Sequence, residues 1–240
     1  MKKFFLGVGL LALTMMAGFS ASAQQGKWAG LVKYSLTWTG NVPQGVPTEW
    51  QVKVFENQLS HGDMLTFGQL GKVIINAGNK TVVSTYDFSM LPDEGPTEGM
   101  SGKWYVRQKI SDENIQKALE QIKYEYTGKT KEIAGINCQE VKVVYKDAEG
   151  AETSETIFVT KELGPVMNYE QYPGLDAFLM EYPMQFSAEL TATFTVSELL
   201  KGKVKDVDLM IESGYEEISE EDFAEMMKVL FGGGASEDDM

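Results

Sequence analysis

The stretch Val32-Lys33-Tyr34-Ser35-Leu36-Thr37-Trp38-Thr39 decides the fold class. Its even positions are large and apolar and its odd positions are polar. A strand turns successive side chains to opposite faces, so this two-residue period marks a strand with one face buried and one in water. Gly40 to Pro47 breaks the pattern, with Pro43, Gly45 and Pro47 supplying a loop, and Trp50, Val52 and Val54 resume it. The same period returns from Ala188 to Val196. There Leu190, Ala192 and Phe194 alternate with Thr191, Thr193 and Thr195, and threonine suits both strand geometry and partial exposure.

Outward from these two strands the chain reads as a series of hairpins. A third short strand is expected around Met64 to Phe67. Val73–Ile75 and Val82–Tyr86 flank Asn76-Ala77-Gly78-Asn79, a turn in which Gly and Asn adopt positive φ cheaply. Glu125 to Tyr145 reads as two strands around Ala134-Gly135, followed by a strand at Thr156–Thr160 that Gly164 and Pro165 end. Tyr172-Pro173-Gly174-Leu175 is a turn before the apolar Phe178, Leu179 and Met180, and Val204 to Ile211 is expected to add an edge segment. Met90 to Gly102, with two prolines and three glycines, is a long connection across the sheet edge. Serial hairpins of this kind favour an antiparallel sheet.

Two helices interrupt the strands. Ser111 can cap the first, Ile110 and Ile115 occupy staple positions, and Ile115, Ala118, Leu119 and Ile122 form a stripe at a 3.6-residue period that is expected to lie buried across one sheet face. The second starts at Ser219, with Ile218 and Phe223 as its staple and Phe223, Met226, Met227 and Leu230 on one side. Glu220, Glu221 and Asp222 favour the positive end of its dipole, and Gly232-Gly233-Gly234 stops it.

The chain starts Met1-Lys2-Lys3, runs apolar from Phe4 to Phe19, and then places Ala21 and Ala23 where a signal peptidase needs small side chains. Cleavage is expected after Ala23, and the apolar run is too short to read as a membrane anchor. The expected organisation is a signal peptide at 1–23, one domain at 24–231 and a flexible acidic tail at 232–240. The expected location is the periplasm, with the cell surface or secretion as the alternative. The 240 residues carry a formal charge of −14, and losing Lys2 and Lys3 with the signal deepens it. Such a surface repels phosphate backbones, which argues against nucleic acid as a partner.

Chemistry-bearing motifs are scarce. His61 is the only histidine and reads as an exposed loop residue, and Cys138 is the only cysteine and reads as a small buried hydrophobe. Neither has a partner close in sequence from which a nucleophile system could be built, although the two could in principle meet in space. No HExxH, cysteine cluster or calcium loop is present, so no catalytic, cofactor-binding or metal-binding residue is assigned and no enzymatic activity is expected. Binding has more physical content, because Trp38, Trp50, Trp104 and Tyr105 fall on or beside strands and methionines are plentiful. A helix packed on a curved sheet can leave an apolar cleft that such side chains would line.

The run Tyr124-Glu125-Tyr126-Thr127-Gly128-Lys129-Thr130-Lys131-Glu132-Ile133-Ala134-Gly135-Ile136-Asn137-Cys138 resembles the central motif of an exported Bacteroidetes family known as domain of unknown function 4412. Phe158-Val159-Thr160-Lys161-Glu162-Leu163-Gly164, the Tyr172 to Leu175 turn and Ser213-Gly214-Tyr215-Glu216-Glu217-Ile218 are similar to further parts of it. Phe158 stands where family members often have tryptophan. The resemblance implies an α+β fold like the lipoprotein carrier LolA, an open, curved antiparallel half-barrel partly wrapped around a few helices. It implies no established activity. The resulting expectation is an envelope protein that binds a lipid-like or other apolar ligand between sheet and helices, or an envelope protein partner. The alternative is a structural or interaction scaffold with no small-molecule ligand, and a hydrolase with an unidentified site comes third.

Overall fold

The computed structural model describes residues 28–56, 58–62, 71–146, 150–163 and 171–232. Its strands are β1 (Ala29–Gly40), β2 (Glu49–Phe55), β3 (Gln58–Gly62), β4 (Gly71–Asn76), β5 (Thr81–Asp87) and β6 (Lys103–Lys109), then β7 (Ile122–Ile133), β8 (Ile136–Lys146), β9 (Glu152–Thr160), β10 (Phe178–Ser187), β11 (Leu190–Lys201) and β12 (Glu216–Glu217). They form one sheet in the order β12-β6-β5-β4-β3-β2-β1-β11-β10-β9-β8-β7. Neighbours are antiparallel except β12 with β6, so the sheet is open and largely antiparallel, as the serial hairpins required. The expected export segment, the third strand expected at Met64–Phe67, the Gly164-Pro165 break and residues 233–240 of the expected acidic tail lie outside the described residues. Strand β3 lies immediately before the region expected to hold the third strand.

Directly opposed residues of an antiparallel pair share a face, so the register assigns the two sides of the sheet. Val32 opposes Val52, while Leu36 opposes Phe194, which in turn opposes Tyr182. These residues define the core face, and all of them are buried. On the other, outer face the same strands present Ser35, Thr37, Thr191, Thr193 and Thr195. Bulges at Lys33/Tyr34, Leu179/Glu181 and Gln185/Ser187 bend the strands and add to the twist.

Two tight turns depend on backbone that side chains rarely adopt. Ala134 and Gly135 both have positive φ, at 49° and 80°, and join the opposed Ile133 and Ile136 in a two-residue hairpin. Gly174 has φ 76°, and a Cβ there would stand 3.2 Å from both Leu119 methyl carbons, so the turn before β10 packs closely on the first helix.

That helix, α1 (Asp112–Leu119), is capped as the sequence requires, with the Asn114 amide donating to Ser111 Oγ at 3.1 Å. Its expected stripe is only half-buried, however, and Ile122 belongs to β7 rather than to the helix. Eight residues rise about 12 Å, which cannot cross a sheet whose strands are about 4.8 Å apart, so α1 stays at the β7 end. The second helix, α2 (Glu220–Gly232), packs at the opposite end against β6 and a 3-10 turn at Gly95–Thr97. The Asp222 amide donates to Ser219 Oγ at 3.0 Å, and the Phe223 ring sits 4.3 Å from that of Tyr86.

The segment Val204 to Ile211 is not an edge strand. It forms a 3-10 turn at Asp206–Leu209 that folds over the outer face, where Val204 and Leu209 bury Ile74 and Val83. The Lys72 ammonium donates to the carbonyls of Asp208 and Met210 at 3.1 and 3.2 Å and fastens the segment down. Burial there lowers the Lys72 pKa.

Candidate functional site

The core face carries a connected group of aromatic rings on β1, β2, β10, β11 and the turn before β10. Trp38 lies 4.9 Å from Phe186, Phe186 lies 6.5 Å from Phe194, and Phe194 lies 5.0 Å from Tyr182, against which Tyr172 sets its edge at 6.3 Å. Tyr34 and Trp50 join from the other side, 6.2 and 5.4 Å from Phe194. The period-2 pattern produces this cluster directly, since Tyr34, Trp38 and Phe194 are the apolar positions of the two deciding strands. Phe194, Tyr182, Tyr172 and Tyr34 are buried, whereas Trp38, Trp50 and Phe186 remain half-buried and form its accessible rim.

The polar ends of Tyr34, Trp38 and Trp50 are satisfied by backbone, which leaves their faces for apolar contact. Tyr34 Oη donates to the Leu179 carbonyl at 2.7 Å, Trp38 Nε1 to that of Pro47 at 2.6 Å and Trp50 Nε1 to that of Gly62 at 3.2 Å. Burial pushes the Tyr34 and Tyr182 hydroxyls well above the ordinary tyrosine range. With α1 at one end of the sheet and α2 at the other, the cluster sits between them. Sequence reasoning placed Trp38 and Trp50 here but missed Tyr182 and Phe186, which lie in the unread strand β10.

At the β8–β10 flank the outer face is not solvated. Cys138 opposes Lys131, and Cys138 shares its face with Glu140, Phe158 and Glu181 through the register. Lys131 Nζ donates to both Glu181 oxygens at 2.8 Å and lies 5.2 Å above the Phe158 ring, and Thr195 Oγ1 donates to Glu181 at 3.0 Å. On this same face Cys138, Thr160 and Phe178 are buried. Burial pushes the Cys138 thiol up to about 11, so it is protonated at neutral pH and a poor nucleophile.

His61 lies in β3, opposed to Val52 and Val73, and not in a loop. Six strand spacings separate β3 from β8, so the structure does not bring His61 and Cys138 together. Among the described residues, no group of three or more His, Cys, Asp or Glu side chains is placed to hold a metal ion. No described helix is long and apolar enough to cross a membrane.

No family model and no curated protein matches the chain, so the resemblance to domain of unknown function 4412 rests on the residues quoted for it. Among solved structures, the chain is similar to a candidate outer membrane lipoprotein-sorting protein domain from Vibrio parahaemolyticus, at 10% identity, over 75% of this chain and 89% of that one, with a TM-score of 0.21. At that TM-score the likeness carries no argument about this chain, and the reading of the site rests on its own geometry.

Proposed function

We propose that this chain is an exported envelope protein with a LolA-like half-barrel shape that holds a lipid-like or other apolar ligand against its core face. The observation that carries this reading is the aromatic group from Trp38 to Trp50, whose half-buried rim lies on curved strands between two helices set at opposite ends of the sheet. Rings whose polar atoms are already bonded to backbone gain little from water and much from an acyl chain laid across them. The export segment expected at 1–23 and the formal charge of −14 fit the same reading.

Lipid extraction of natively purified protein, followed by mass spectrometry, tests it. The expected result is a bound acyl compound in stoichiometric yield, together with a change in tryptophan fluorescence when dodecyl maltoside is added to stripped protein. Recovery of no apolar compound and no fluorescence response would favour the scaffold reading, in which the rings serve packing alone.

A further inference from the structure

Strand β9 contributes Ile157 and Val159 to the core face, both essentially inaccessible. Two residues before Ile157, at the next position on that same face, stands an acid, Glu155. It opposes Val143, which opposes Tyr124, so a carboxylate and a tyrosine lie in one row on the apolar side of the sheet. Tyr145 Oη donates to Glu155 Oε1. Tyr172, which sets its edge against Tyr182, ties this corner to the aromatic group.

The remaining contacts fix the geometry. Tyr124 Oη donates to the Pro173 carbonyl at 2.9 Å, and Tyr172 Oη to that of Pro183 at 3.4 Å. Burial first, and the Glu155 charge second, raise the Tyr172 hydroxyl far above its ordinary range, and Tyr145 is raised in the same sense. These hydroxyls are therefore donors, and the negative charge of the corner belongs to one carboxylate.

We infer that the Glu155 corner is a headgroup site for an amine or quaternary ammonium, making the preferred ligand a cationic amphiphile whose tail runs over the Phe194 group. A carboxylate held on the apolar face by the Tyr145 hydroxyl attracts a cation by charge, and that attraction strengthens where water is partly excluded. An anionic headgroup meets the same carboxylate as repulsion. This inference rests on the apolar-ligand reading, and it names the ligand class.

Titration of the stripped full chain with dodecyltrimethylammonium, dodecyl maltoside and dodecanoate, each kept below its micelle-forming concentration, tests the idea by calorimetry and tryptophan fluorescence. The cationic amphiphile is expected to bind about tenfold more tightly than the neutral one, and dodecanoate most weakly. Glu155→Gln should reduce that preference to about twofold or less, and Glu155→Asp should keep most of it. Glu132→Gln, at an exposed acid on the β7 end, should keep all of it and so exclude general acidity as the cause. Equal binding of the cationic and neutral amphiphiles by the wild type, which needs no variant, would overturn the inference, as would a preference that survives Glu155→Gln in folded protein. Should dodecyl maltoside itself fail to bind, the apolar-ligand reading falls and takes this site with it.

Discussion

The centre of the sheet and its flanks obey different rules. In β1 and β11 apolar side chains alternate with serine and threonine because only the core face is covered. At β4 the order inverts: Ile74, on the outer face, is buried under the 3-10 segment, while Val73 and Ile75 on the core face are only half-buried. At β10 alternation vanishes, since Phe178, Leu179 and Met180 are buried in succession across a bulge. A covered outer face thus removes the polar half of the pattern from the sequence.

Four measurements can break or sharpen this contrast. Phe194→Ala removes a fully buried ring at the hub of the central cluster and should cost about 4 kcal/mol in urea unfolding, with the whole sheet losing protection together. A cost below about 1 kcal/mol would show that the centre is not the stabilising core.

Alkali should act on the same place. The Tyr34 and Tyr182 pKa values are raised above the ordinary 10.0 by burial, so the unfolded chain loses these protons first. Their contribution is complete below pH 10 and is lost as pH climbs past it, by about 1.4 kcal/mol per pH unit for each tyrosine. Ultraviolet titration should show these phenols ionising only with unfolding. Free titration in the folded protein would place them in water and dissolve the cluster.

The flank is tested by Leu209→Ala, which uncovers Ile74 and Val83 and should cost about 2 kcal/mol. Hydrogen exchange should quicken in β4 and β5 well before it does in β1 and β11. If it rises uniformly, the 3-10 cover is part of one core and the contrast between regions fails. The smallest effect belongs to Thr193→Val on the solvated central face, expected within about 0.5 kcal/mol of the wild type.

The same contrast explains what was legible in advance. Strands β1, β2, β8 and β11 announce themselves because one of their faces meets water, and β5 because it follows the Asn76–Asn79 turn. Strand β6 does not, because Trp104 and Tyr105 point to opposite faces and both are half-buried, and β10 hides behind its bulge and Pro183. Half of the candidate site was therefore readable, at Trp38, Trp50 and Phe194. Tyr182 and Phe186 were not, and Glu155 looked like one acid among thirty-five until the register set it beside Ile157.

By itself the sequence determined local matters: which segments alternate, where Ser111 and Ser219 begin helices, and that Ala134-Gly135 turns the chain back. These follow from side-chain period and backbone preference, which act over a few residues. Only the tertiary structure decided that the helices stand at the two ends of the sheet, that 204–211 folds over the outer face, and that Cys138 lies buried on that outer face beside Lys131. Each of those depends on which strands become neighbours, and strand order joins residues far apart in the chain that no local pattern relates.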